Sequence, residues 1–141
     1  MKDTELLQFI YKTAVMGIEG LNDVQGHIKD EKLCKAVQQQ VEEYQNISDA
    51  AGNMLRSVGE EPNSPGRMAR LSSEMMSAAK TLMDSSPSKI AEMVIQGNHM
   101  GIIQGTRHLH DYAGEDNRVR ALAEKLLKTE QANVEQMKPF L

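Results

Sequence analysis

Two short patterns carry the side chains best suited to chemistry: Glu43-x-x-Asn46 and Glu130-x-x-Asn133. Residues three apart share one face of a helix, so each pair can present two oxygen donors together. Glu130 and Asn133 recur in phase with Val119, Leu122, Ala123, Leu126, Val134 and Met137, which sets Glu130 squarely inward. Glu43 lies on the shoulder of its own apolar stripe, and Glu42 lies opposite that stripe. A carboxylate facing a core must find a partner or take up a proton. Gln104, Asn98, Tyr44 and Gln40 are placed to hydrogen-bond Glu130. Two readings stay open. One is a polar core layer that fixes helix register. The other is an altered site for one metal ion or a small polar ligand, with Glu130, Asn133, Glu43 and Gln104 as candidate ligands. The polar layer is preferred, because buried polar groups generally hydrogen-bond to protein.

The remaining reactive residues add little. Glu19 is turned by about 100° from the inward Ile18 and reads as a solvated carboxylate. His99 and His110 are about three turns apart, so they cannot share an ion within one chain. His108 faces inward about two turns from the level of Glu130, where Tyr112 or Gln25 is its expected contact. Arg107 with His110 mimics only weakly the exposed histidine and basic neighbour of a phosphotransfer bundle. Cys34 is the only cysteine, which excludes an internal disulfide or a CxxC motif. Lys35 is its one adjacent cation, and a small structural thiol is the natural reading.

Helices must position these groups. The stretch Ile90 to Tyr112 is apolar nearly all round and carries Gly97, Gly101 and Gly105 at spacings of four. It is expected to be the central helix, buried on several sides or meeting another subunit on one. Its inward stripe is Ile90, Val94, Gly97, Gly101, Gln104, His108 and Tyr112. Each glycine costs a helix up to about 1 kcal/mol against alanine, so close packing along that ridge has to offset it. Ser86 then Pro87 starts this helix, and Gly114 follows it.

Before it, Asp3 or Thr4 is expected to cap a first helix carrying Ile10, Ala14, Gly17, Leu21, Val24 and Ile28. Asp30 caps a second, with Leu33, Val37, Gln40, Tyr44, Ile47, Ala51, Met54 and Val58 inward, ended by Gly59 and Pro62. A shorter third helix is expected over Pro65 to Met83, faced with methionine and leucine. Asp116 or Asn117 caps the last helix, and Pro139 closes it.

Composition bounds the rest. The 141 residues suit one domain, with ten Met and no Trp giving an aliphatic, thioether-rich core. The formal charge of -4 leaves no footprint for nucleic acid. No segment approaches the length of a membrane span, and a cytoplasmic location is the default expectation.

The order of helices, Gly17-Ile18-Glu19-Gly20 in the first, the turn Lys29 to Leu33 and the link Gly59 to Ser64 resemble small bacterial ferritin-like proteins of unknown function. The resemblance covers nearly the whole chain and implies one domain over 1–141. The implied fold is an all-α, ferritin-like antiparallel four-helix bundle with an additional crossover helix between the second and third long helices. Iron-handling members carry inward carboxylates on all four helices and Glu-x-x-His on two. This chain has Ile18 inward on the first, Glu43-x-x-Asn46 on the second, Gly101, Asn98 and Gln104 on the central helix, and Glu130-x-x-Asn133 on the last. One inward acid cannot hold a usual di-iron centre. The expectation is a non-catalytic bundle without a cofactor, working by self-association or by binding a protein partner. The alternative is a ferritin-like metal-binding or oxidoreductase protein, with iron or another divalent metal at an altered site around Glu130 and Glu43.

Overall fold

The structure, a computed structural model, describes residues 1–63 and 84–141. Four α-helices account for most of them: α1 (Asp3–Gln25), α2 (Glu31–Ser57), α3 (Pro87–Asp111) and α4 (Asn117–Met137). A single 3-10 turn, Lys138–Phe140, follows α4, and the described residues contain no strand. The short helix expected over Pro65 to Met83 lies outside the described residues.

Three of the four helices start where their capping residues dictate. Asp30 accepts from the backbone N–H of Leu33 at 2.9 Å, Ser86 from that of Lys89 at 3.3 Å, and Asp116 from that of Arg118 at 2.9 Å. Each bond satisfies an N–H that the first helical turn leaves unpaired. The start of α1 departs from expectation. The helix begins at Asp3, and neither Asp3 nor Thr4 caps it from outside; Lys2 precedes it with no side-chain cap. Tertiary contacts hold this end instead. Asp3 accepts the hydroxyl of Tyr112, the Met1 amine donates to the Asp111 carbonyl at 3.0 Å, and Ala113 N–H donates to the Met1 carbonyl at 3.4 Å. Past the end of α2, Gly59 takes a left-handed φ of 79°, and Glu60 N–H donates back to the Leu55 carbonyl at 3.0 Å.

The contacts fix helix directions. Gly17 meets Tyr44 and Gln25 approaches Cys34, so α1 and α2 are antiparallel. Gly101 meets Glu130 and Gly105 meets Leu127, so α3 and α4 are antiparallel as well. Early α1 lies at late α3 through Phe9 and His108, and early α2 lies at late α4 through Gln40 and Gln136. It follows that α2 and α3 run one way, and α1 and α4 the other.

The core is aliphatic, as composition requires. Leu6, Ile10, Leu33, Ile47, Leu55, Ile90, Leu126 and Met137 are fully buried. Each such side chain contributes roughly 1.5–3 kcal/mol relative to exposure. Of the two expectations for α3, burial on several sides is not met, because its burial is one-sided among the described residues. Ile90, Ala91, Val94, Asn98 and Gly105 are buried, whereas Met100 and Ile103 are 53% and 54% exposed on the other side. Hydrophobicity all round a helix gave no clue to which apolar residues its neighbours would leave uncovered.

Candidate polar site in the bundle interior

One level of the bundle gathers polar groups from three helices. From α2 comes Tyr44, from α3 Asn98, and from α4 Glu130 and Asn133; all four are buried. Glycine makes room for two of them. The Tyr44 ring lies against Gly17 so closely that a Cβ there would sit 2.7 Å from ring carbon Cε2. A Cβ at Gly101 would collide with the Glu130 carboxyl group, Oε2 foremost.

Tyr44 and Asn133 are joined through the Asn98 side chain. Tyr44 Oη donates to Asn98 Oδ1 at 2.8 Å, and Asn133 Nδ2 donates to the same oxygen at 3.3 Å. Asn98 Nδ2 donates to the Val94 carbonyl one turn back at 2.9 Å, which fixes the amide's orientation. The Tyr44 phenol is pushed well above its ordinary value, first by burial and next by the charge Glu130 would carry; the Asn133 amide beside it works the other way.

Glu130 stands apart from this network. It is 1% exposed, and its Oε1 is buried without a hydrogen-bond partner among the described residues. Burial alone raises its pKa to about 8. At neutral pH the folded protein therefore holds Glu130 mostly as the neutral acid.

The expectation that Gln104, Asn98, Tyr44 or Gln40 would hydrogen-bond Glu130 is not met at Oε1. Asn98 and Tyr44 bond each other, and Gln40 Nε2 donates to Gln136 Oε1 at 3.0 Å. Gln40 Oε1 is likewise buried without a partner. Gln104 is half-buried, and its backbone carbonyl lies 2.7 Å from His108 Nδ1. Glu43 and Asn46 are exposed, because the buried register of α2 runs through Gln40, Tyr44, Ile47 and Ser48. Of the four candidate ligands, the structure thus brings Glu130 and Asn133 into the interior, with Gln104 half-buried and Glu43 at the surface. Ile18 is half-buried, and its neighbour Gly17 is the residue that meets the polar level.

The expected His108 contacts with Tyr112 or Gln25 also give way. His108 stacks on Phe9 with ring centroids 3.8 Å apart and planes 11° from parallel. Tyr112 turns to Asp3 instead, and Gln25 Nε2 approaches Cys34 Sγ at 4.0 Å. Cys34 is half-buried, with Gln38 Nε2 a second amide donor at 3.7 Å. His99 and His110 are exposed on α3.

This donor set does not fit a di-metal centre. Among the described residues no three His, Cys, Asp or Glu side chains come together as a ligand group. The interior level supplies one carboxyl group, and the Asn98 oxygen already accepts two donors. Bridging two cations needs several anionic oxygens. What the arrangement can do is hold a register between helices and keep one acid in contact with a helix backbone.

Sequence reasoning missed the partnership of Gly17 with Tyr44 and the reach of Tyr44 to Asn98. Both residues sat on expected inward stripes, so the signal was a glycine facing a bulky residue across a hairpin. Comparison with known protein families, with curated proteins and with solved structures finds no match to this chain.

Proposed function

We propose that this chain is a ferritin-like bundle without catalytic chemistry, working by self-association through the outer face of α3. Helix directions support the ferritin-like part. With α2 and α3 running the same way, the end of α2 at Ser57 and the start of α3 at Pro87 lie at opposite ends of the bundle, the separation that a ferritin-like crossover connection spans. An up-down-up-down bundle would need only a short turn there.

The observation that carries the association reading is the exposure of Met100 and Ile103. They are three residues apart and continue a stripe of Gln96, Met100, Ile103, Arg107 and His110 at alternating spacings of four and three. That is the spacing of a helix–helix seam. A second copy packed antiparallel about its midpoint would set Met100 against Ile103 and Gln96 against Arg107. The seam carries no acid, so it adds no repulsion between two chains of net charge -4.

Sedimentation velocity on wild type and on Ile103→Glu tests this. Wild type is expected to sediment as a dimer or larger species, and the variant as a folded monomer. Wild type that stays monomeric into the high micromolar range overturns self-association. Stoichiometric iron, manganese or zinc in the purified protein, lost in Glu130→Gln, would overturn the non-catalytic reading.

A further inference from the structure

We propose that Glu130 is a proton-operated latch between α3 and α4: as the neutral acid it lies in the notch at Gly101, and as the carboxylate it leaves that notch and parts the two helices at this level. The inference is independent of the association reading, since it rests on the bundle interior.

The notch comes first. Only the absence of a side chain at Gly101 lets the Glu130 carboxyl group lie against α3. A helix interior offers that group little, because its backbone N–H groups are already committed to carbonyls four residues back. Oε1 finds no donor among the described residues. A neutral acid tolerates this position, whereas an anion there would be desolvated and unpaired.

Among the described residues no positive charge is buried beside Glu130. From α2 the facing titratable group is Tyr44, which is neutral and donates its proton to Asn98. From α3 the facing groups are Gly101 and the Asn98 amide; His99 is exposed, and His108 is engaged with Phe9 and Gln104 at the end of the bundle. On α1 the wholly buried side chains are apolar, and half-buried Asp23, with one carboxyl oxygen buried, adds no positive charge. On α4 itself, Lys125 and Lys128 are exposed and Asn133 is an amide. Burial is accordingly the sole cause of the raised pKa of about 8.

Gly101 is half-buried, so the outer edge of the notch borders solvent. Asn98 is one turn from Gly101, and Asn133 is one turn from Glu130. A shift of the two helices therefore reaches the shared Asn98 oxygen, and through it Tyr44 on the other hairpin.

The direction with pH follows. The folded-state pKa is raised from 4.5 to about 8. Between those values the unfolded chain has released the proton and the folded chain has not. The folded-to-unfolded ratio contributed by this group then falls tenfold per pH unit and levels off above about 8, where the folded acid ionises too. The latch opens at that upper limit.

The test is an NMR titration of the full chain from pH 5 to 10, with glutamate carboxyl carbons and backbone amides observed together. The Glu130 carboxyl carbon is expected to titrate near pH 8. The amides of Asn98, Gly101 and Asn133 should shift with the same midpoint and lose at least tenfold in hydrogen-exchange protection above it. Glu130→Gln keeps the shape of the neutral acid and should hold all three amides unchanged to pH 10. Titration of Glu130 below pH 6 overturns the proposal. So does a titration near 8 that leaves those amides still, or an amide shift that persists in Glu130→Gln. Should that variant not fold, the wild type still decides, because the two midpoints coincide or they do not.

Discussion

The two hairpins use the same device and reach different outcomes. In α1–α2 the bare backbone at Gly17 receives the Tyr44 ring; in α3–α4 the bare backbone at Gly101 receives the Glu130 carboxyl group. The ring buries apolar surface against the glycine and sends its one polar atom onward to Asn98. The carboxyl group presses polar oxygens against the glycine and leaves Oε1 unpaired among the described residues. A glycine notch is therefore a geometric provision without a fixed energetic sign. What fills it decides whether the level is indifferent to pH or governed by it.

The largest expected break in this comparison is Gly101→Ala. The added methyl displaces a buried acid from the space it occupies, and stability should fall by about 3 kcal/mol, the upper end for overpacking. Gly17→Ala should cost about 2 kcal/mol, since the Tyr44 ring can tilt while its hydroxyl retreats from Asn98. Denaturant melts check both, and adding Glu130→Ala should recover part of the loss at Gly101 and none at Gly17. Next comes Tyr44→Phe, which leaves the Asn98 oxygen with only its longer bond from Asn133. Thermal unfolding should show a loss of about 1 kcal/mol. The smallest effect belongs to Gly26→Ala, a glycine outside both notches. Nothing lies within reach of a Cβ there and its φ of -63° suits alanine, so a gain of about 0.5 kcal/mol is expected.

Local chemistry was readable from the chain, and angular detail was not. Asp30, Ser86 with Pro87, and Asp116 each sat just before an apolar periodic run, and each is the cap of its helix. Periodicity also set Glu130 inward, and it is buried. Gly101 was legible as an inward glycine of the central helix; that the Glu130 carboxyl group lies against it was not. The reason is that periodicity assigns a residue to a face and says nothing of the distance between faces. Tyr44 and Asn98 are 54 residues apart, and nothing local couples a phenol to an amide across two hairpins. Likewise the shoulder position of Glu43 and the apolar flank at Ile103 became exposed once neighbouring helices chose which arc to cover.

The parallel run of α2 and α3 has a kinetic consequence. Each hairpin closes over a short connection and can form quickly by itself, while docking one on the other must wait for the long connection to close. The Tyr44–Asn98 bond joins the two hairpins, so it belongs to that late event. Substitutions confined to it should leave the refolding rate nearly unchanged and speed unfolding, which makes this level a determinant of how long the native bundle persists.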